Sequence, residues 1–345
     1  MGEKIKVLIV DDAAFMRKAI SDVLGRDPGI EVVGTARNGL EGLQAIKTLR
    51  PDVITLDIDM PVMDGLTGIR HIMIESPVPI VVLSSLFTDG AITFDALRLG
   101  VVDFIPKPSG AVSTDIEKSQ NQLIDRIKLA SSVNLENIRR VRLLNYDINE
   151  RLSARYGYAQ LDYLLALGTT LSGPNTVIRL LSNLPPRLPA AVVVVQEISP
   201  KIIAAFAKQF DASVPWRVRV AEDGMPIEQG TCYISSYERP FRIQATAESG
   251  PCLNQAGDGA MPLDMLFSSA ADVFHQNTIG VLLTGIGKDG ARGFAHIRET
   301  EGVTLAQDTQ CCVYPNLTHN AIAKGAVDIV LDEVKLPQAI ASIMT

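Results

Sequence analysis

Aromatic side chains are scarce, at 5% of 345 residues with a single tryptophan. Any core must therefore be aliphatic, and a hydrophobic content of 47% supplies enough for sizeable ones. The four cysteines, Cys232, Cys252, Cys311 and Cys312, form no C-x-x-C pair. They read as reduced thiols, which sets aside a zinc or disulfide framework. Apolar runs such as Ala190–Val195 fall far short of the ~20 residues that a membrane-spanning helix needs. Basic residues are not in excess either: the net charge is −7, which argues against nucleic acid or an anionic membrane surface as a main partner. The opening Met1-Gly2-Glu3-Lys4-Ile5-Lys6 runs directly into a strand and leaves no room for a signal peptide. A soluble cytoplasmic protein is expected.

The length suggests two domains on the rough prior of ~100–200 residues each. Over residues 1 to about 110, short apolar runs alternate with segments of helical spacing. Strands are expected at Lys6–Val10, Glu31–Thr35, Val53–Leu56, Ile80–Leu83 and Asp103–Ile105. Between them Met16, Ile20, Val23 and Leu24 recur at helical spacing, and helices fit Leu40–Leu49, Leu66–Glu75 and Ala91–Leu99. Such alternation implies a doubly wound parallel sheet with right-handed crossovers.

In that sheet the strand ends converge. Asp11 and Asp12 follow the first strand, Asp57 the third, Ser84 the fourth and Lys107 the fifth. Carboxylates so close raise one another's pKa unless a cation compensates. A hard divalent ion with oxygen ligands, most simply Mg²⁺ on Asp11, Asp12 and Asp57, resolves the conflict and can neutralise a phosphoryl group. The Lys107 ammonium can pair with one phosphoryl oxygen and the Ser84 hydroxyl can donate to another. One acidic residue at a strand end is ordinarily a solvated loop residue; five complementary residues at four strand ends are not. On these residues the segment resembles a response-regulator receiver domain, a flavodoxin-like (βα)5 fold. The resemblance makes Asp57 the phosphoacceptor, and Ser84, Phe104 and Lys107 the switch positions.

After a final receiver helix over roughly Asp115–Ser131 the composition becomes polar and basic, with Arg139, Arg140, Arg142, Arg151 and Arg155. Leu135, Ile138, Val141 and Leu144 keep helical spacing, which suggests a helical linker with a solvated basic face. Beyond it lies a second α/β pattern. Strands fit Leu161–Leu167, Ala191–Gln196, Val218–Ala221, Cys232–Ser235, Ile279–Leu283, Val303–Gln307 and Val327–Val330. Helices fit Asn175–Leu184, Pro200–Phe210, Leu263–Phe274, Asp289–Thr300, Leu317–Lys324 and Val334–Met344. The expected organisation is a receiver over 1–131, a linker over 132–160 and a second, mostly parallel doubly wound domain over 161–345.

Several phrases here carry a specific resemblance. Leu282-Leu283-Thr284-Gly285-Ile286-Gly287-Lys288-Asp289-Gly290-Ala291 resembles the aspartate-bearing loop of chemotaxis methylesterases, and Ala221-Glu222-Asp223-Gly224, Tyr233-Ile234 and Ala306-Gln307-Asp308 are similar to others of their phrases. With the receiver in front, the chain resembles the CheB-type response regulators, a protein-glutamate methylesterase and glutamine deamidase family acting on chemoreceptors. That implies a sensor histidine kinase as phosphodonor and methylated receptor segments as substrate. The departures fall on the chemistry. Thr170 stands where the family's Gly-Ala-Ser-Thr-Gly-Gly-Pro has its nucleophilic serine, and Leu171 and Ser172 replace the next two residues. Glu197 stands where Gln-His-Met-Pro has its base, and Asp289 alone of the triad persists. A second histidine, after the family's Tyr-Ile-Ala-Pro-Gly phrase, is missing from Tyr233-Ile234-Ser235-Ser236-Tyr237-Glu238-Arg239-Pro240.

An imidazole titrates near neutrality and can take and return a proton; two facing carboxylates repel instead. Thr170 keeps a hydroxyl but is stiff at χ1. The triad reads as broken. Three outputs stay open: a weak or absent esterase, an active one using Thr170, and a non-catalytic binding module switched by phosphorylation. Ser172 as a displaced nucleophile, His319 as a substitute base and Cys311-Cys312 as reactive thiols are weighed against blander roles in helix capping, surface and packing. A transcriptional regulator is a distant alternative, because no basic recognition helix is visible.

Overall fold

Aliphatic runs buried on both faces become parallel strands, and the polar residue that ends each run marks the sheet's carboxyl edge. The structure is a computed structural model that describes residues 3–84, 90–107, 114–138, 160–246, 250–257 and 261–344, with residues 114–119 and 246 described by backbone alone. The chain divides into two compact units, Met1–Arg140 and Val141–Thr345.

The first unit contains β1 (Ile5–Val10), β2 (Ile30–Ala36), β3 (Val53–Leu56), β4 (Ile80–Ser84) and β5 (Asp103–Pro106). Its helices are α1 (Ala14–Leu24), α2 (Gly39–Leu49), α3 (Gly65–Glu75), α4 (Gly90–Leu99) and α5 (Thr114–Ser131). All strand pairs are parallel and the order is β2-β1-β3-β4-β5. The sheet is apolar throughout its middle, with Val7, Leu8, Ile9, Ile54, Val81 and Val82 wholly buried. Helix starts are set by short polar side chains: Asn38 Oδ1 accepts from the Glu41 N–H at 2.9 Å and Asp64 Oδ1 from the Thr67 N–H at 2.8 Å. Residues Leu135–Asn137 form a 3-10 turn capped by Asn134, whose side chain accepts from the Glu136 N–H at 3.0 Å. Most of the expected helical linker, with its basic cluster, falls on residues 139–159, outside the described residues.

The second unit contains β6 (Tyr163–Gly168), β7 (Ala190–Gln196), β8 (Arg217–Val220), β9 (Met225–Pro226), β10 (Thr231–Ser236), β11 (Phe241–Thr246), β12 (Gly250–Gln255), β13 (Thr278–Leu282), β14 (Val303–Gln307) and β15 (Ile329–Leu331). Its helices are α6 (Gly173–Asn183), α7 (Ile203–Ser213), α8 (Pro262–Phe274), α9 (Ala291–Glu299), α10 (Asn316–Ala323) and α11 (Leu336–Ile343). Seven strands form one parallel sheet in the order β15-β14-β13-β6-β7-β10-β8. On one face Ala191, Val193 and Val195 pack in a cluster with Leu263, Leu266 and Phe267 of α8 and with Phe294 and Ile297 of α9. The rings of Phe267 and Phe294 lie 4.7 Å apart.

The seven main strands agree with the sequence to within a few residues. A small antiparallel sheet, β11-β12-β9, was not expected. Among the described residues no helix is long and apolar enough to cross a membrane.

Candidate functional site

Open parallel sheets bind ligands beyond their carboxyl ends, where the strand order reverses. In the first unit that point lies between β1 and β3. Asp11 and Asp12 follow β1, Asp57 follows β3, Ser84 ends β4 and Lys107 follows β5. Asp11, Asp57 and Ser84 are buried, whereas Asp12 is exposed. Lys107 Nζ donates to Asp57 Oδ2 at 2.7 Å. It also pairs with Asp11 Oδ2 at 2.7 Å, a buried oxygen with no other partner among the described residues. The remaining oxygens are held by backbone: the Ile58 N–H donates to Asp57 Oδ1 at 2.8 Å and the Ala13 N–H to Asp11 Oδ1 at 2.9 Å. Phe104 sits half-buried within β5. The turn after Asp57 requires Gly65, because a Cβ there would run into the Asp57 carbonyl and lie 2.7 Å from Ile58 Cα.

Burial pushes the Asp57 carboxyl above the usual carboxylate range, with Lys107 opposing and Asp11 adding to the rise. Burial works against the Lys107 ammonium, but its contacts with Asp11 and Asp57 outweigh this and hold it above the ordinary lysine value. Carboxylate oxygens of Asp11, Asp12 and Asp57 lie within 4.8 Å of one another. Three hard oxygen donors, one of them a buried oxygen met among the described residues by the Lys107 ammonium alone, fit a small divalent cation.

In the second unit the order reverses between β6 and β13. Thr170 follows β6, Asp289 follows β13 and Glu197 follows β7. Thr170 and Asp289 are buried and Glu197 is exposed. Thr170 Oγ1 accepts from the Ile286 N–H at 2.7 Å and donates to the Ile286 carbonyl at 3.0 Å. Gly285 allows this approach, since a Cβ there would lie 2.5 Å from Thr170 Oγ1. Asp289 is anchored at the start of α8: the Leu263 N–H donates to Oδ2 at 2.8 Å and the Asp264 N–H to Oδ1 at 2.9 Å. The Tyr237 hydroxyl, just past β10, donates to Asp289 Oδ2 at 2.9 Å. Burial raises the Asp289 pKa, against the opposing pull of those three donors.

Residues 7–114 match the response regulator receiver domain and residues 165–340 match the CheB methylesterase. A protein-glutamate methylesterase/protein-glutamine glutaminase of Pyrococcus horikoshii is 36% identical over 353 residues, covering 99% of this chain and 94% of that protein. The protein of the same description from Geobacillus kaustophilus is 37% identical over 349 residues, covering 99% of each. The chain belongs to the CheB methylesterase family. It is a chemotaxis response regulator with an N-terminal receiver domain and a C-terminal domain of the methylesterase type. Among solved structures it is similar to the Thermotoga maritima CheB methylesterase catalytic domain, which is 28% identical over 52% of this chain and 98% of that one, with a TM-score of 0.49.

Against that family, the two sets of expected residues fare differently. Of the receiver set, Asp11, Asp12, Asp57 and Lys107 come together at one sheet edge, while Ser84 ends the neighbouring β4 and Phe104 lies within β5. Thr170, Glu197 and Asp289 follow adjacent strands, yet among the described residues the hydroxyl of Thr170 bonds only to Ile286, and Asp289 bonds to Leu263, Asp264 and Tyr237. Sequence reasoning missed Tyr237; its signal was a tyrosine where the Tyr-Ile-Ala-Pro-Gly phrase ends in glycine. It also missed Gln196, wholly buried at the end of β7 with neither amide atom hydrogen-bonded among the described residues. Ser172 is the left-handed residue (φ 59°) before α6. His319 lies in α10 beside a groove of about 380 Å³ lined by Thr309, Gln310, Pro315 and Asn316. Cys312 is buried and its thiol is pushed up to about 12, which suits a packing residue.

Proposed function

We propose that the receiver domain takes a phosphoryl group on Asp57 from a sensor histidine kinase of the chemotaxis type. The event governs a C-terminal domain directed at methylated glutamate segments of chemoreceptors, whose ester and amide hydrolysis is weak or absent. The observation that carries the first half is the bond from Lys107 to a buried Asp57 beside Asp11 and Asp12. A carboxylate oxygen of Asp57 attacks the phosphorus of the kinase's phosphohistidine, so that the acyl-phosphate P–O bond forms as the P–N bond breaks and the imidazole leaves. Lys107 then pairs with one phosphoryl oxygen and the Ser84 hydroxyl donates to another. A Mg²⁺ held by Asp11, Asp12 and Asp57 neutralises charge on the transferring group when bound. Phe104, on β5 three residues before Lys107, is the aromatic that responds. We assign the receiver to residues 1–131, the linker to 132–160 and the output domain to 161–345, in a cytoplasmic protein that neither enters membranes nor binds nucleic acid.

The second half rests on Thr170. Its hydroxyl donates to a backbone carbonyl, and among the described residues no side-chain base is bonded to it. A nucleophilic hydroxyl needs a base to take its proton and a third group to orient that base. Single losses from such a unit already remove most of the rate. An alternative is that the domain serves as a phosphorylation-controlled binding module for a receptor segment, with which the Asp289 anchorage is compatible. Active hydrolysis through Thr170 is the competing reading.

Two measurements test this. Incubation with a small phosphodonor and Mg²⁺ is expected to give an acid-stable acyl-phosphate adduct on the wild-type chain and none on Asp57→Asn; equal labelling of both removes Asp57 from the role. Methanol release from membranes bearing methylated chemoreceptors is expected to stay near background. Robust release that disappears in Thr170→Ala establishes the threonine as nucleophile instead.

A further inference from the structure

We propose that the Tyr237 hydroxyl occupies the place on Asp289 that a catalytic base needs, so that the cleft is closed to triad chemistry by Tyr237 as well as by the exchange at position 197. The inference rests on the weak-esterase reading above and names a second, independent cause for it.

In a triad the base must accept from the nucleophile on one side and donate to the carboxylate on the other. Each carboxylate oxygen offers two lone pairs. On Asp289 Oδ2 both are taken, by the Leu263 N–H at 2.8 Å and the Tyr237 hydroxyl at 2.9 Å. Oδ1 accepts one bond, from the Asp264 N–H at 2.9 Å at the start of α8. A base that is to bond Oδ2, the oxygen that meets Tyr237, would have to displace the phenol.

Strand order explains how Tyr237 reaches this position. In the register of β10 with β7, Ser236 pairs with Gln196, so Tyr237 and Glu197 are the next residues along neighbouring strands. The Tyr237 N–H donates to the Gln196 carbonyl at 2.9 Å, which fixes the start of its side chain beside Glu197. Asp289 follows β13, and β7 and β6 lie between β10 and β13. The phenol-to-carboxylate bond therefore spans the strand ends that carry Glu197 and Thr170. Tyr237 cannot replace the base it excludes. Burial raises its hydroxyl far above the ordinary tyrosine range, and the charges of Asp289, Glu197 and Asp264 add to the rise. It stays protonated at neutral pH, and a neutral phenol is too weak a base to take the proton of Thr170.

The closing experiment uses the full chain. The imidazole introduced by Glu197→His is titrated by NMR, alone and together with Tyr237→Gly. Alone it is expected to titrate near the ordinary histidine value, about 6.5. With the phenol removed it reaches Asp289 and its pKa rises by about one unit or more. Identical titration in the two chains overturns the inference; Tyr237→Ala takes the place of Tyr237→Gly if the glycine variant does not fold. In parallel, release of methanol from a peptide bearing a glutamate γ-methyl ester is followed in Thr170→Ser/Glu197→His, with and without Tyr237→Gly. The triple variant is expected to exceed the double by roughly 10²-fold, the usual worth of a positioned base. Equal rates from a double variant that already turns over count against the plug. Robust turnover by the unaltered chain overturns the weak-esterase reading, whatever the imidazole titration gives.

Discussion

Val62 is held at φ 69°, in the left-handed region, although it is β-branched and 81% exposed. A branched side chain is penalised there by roughly 1–2 kcal/mol, and this one gains no packing in return. Val62→Gly is therefore expected to raise the stability of the receiver unit by about 1 kcal/mol, read as a higher urea midpoint with unchanged slope. A drop in midpoint means that the side chain supports the loop. His296 makes a pH-dependent contribution of the opposite kind. Its hydrogen bond to Asp272, and secondly that to Glu299, raise its pKa above 6.5. A raised folded pKa gives stability that is complete below pH ~6.5 and fades as pH climbs through the folded value. Side-chain exposures of 35%, 65% and 72% for His296, Asp272 and Glu299 screen the pair, so the gain is a fraction of a kcal/mol. His296→Gln should flatten that part of the stability–pH curve, and added salt should flatten the wild type. At this scale the legibility of the sequence was uneven. Asp11, Asp12, Asp57 and Lys107 could be read because each ends a strand with the charge that its neighbours require. Tyr237 could not, because its partner Asp289 is 52 residues away and only the strand order brings them together.

Gly65 shows how one element sets the geometry of another. Helix α3 begins directly against the backbone that follows Asp57, and a methyl group at its first residue has no space. Gly65→Ala is expected to cost about 1–3 kcal/mol through overpacking and to lower acyl-phosphate labelling of Asp57. Loss of stability with full labelling would mean that the turn relaxes without moving the carboxylate. Elements were legible where an aliphatic run was long and continuous, as in Val53–Leu56 or Ala190–Gln196. The β11-β12-β9 sheet was not, for identifiable reasons. Strand β9 is two residues long and includes Pro226, and β12 opens with Gly250 and Pro251, both of which disfavour a strand by propensity. Tertiary packing overrides that preference: Phe241, Ile243 and Leu253 are buried, and the Ile243 N–H donates to Ser269 Oγ of α8 at 3.0 Å.

Across the whole molecule, both candidate sites lie where a parallel sheet reverses its strand order, between β1 and β3 and between β6 and β13. Alternation of strand and helix signals told of two such sheets, but not where each reverses, because pairing between strands distant in sequence leaves no local periodicity. The two sites differ in how their charge is arranged. At the first, the three carboxylates of Asp11, Asp12 and Asp57 lie together, Lys107 pairs with Asp11 and Asp57, and the Arg17 guanidinium bonds the Asp11 and Asp12 carbonyls, so carboxylate charge still exceeds cation charge and a further cation is favoured. Any ion that binds the folded receiver and not the unfolded chain stabilises it by mass action, by about 2.7 kcal/mol at a hundredfold excess over its Kd. Scanning calorimetry with increasing Mg²⁺ should therefore move the receiver's unfolding transition upward along that logarithmic dependence. Asp12→Ala removes the exposed ligand while leaving the Lys107 ion pairs to Asp11 and Asp57 in place, so its transition should respond much less. A transition in Asp12→Ala that climbs as steeply as in the wild type would place the ion elsewhere and leave the excess of carboxylates to Lys107 alone.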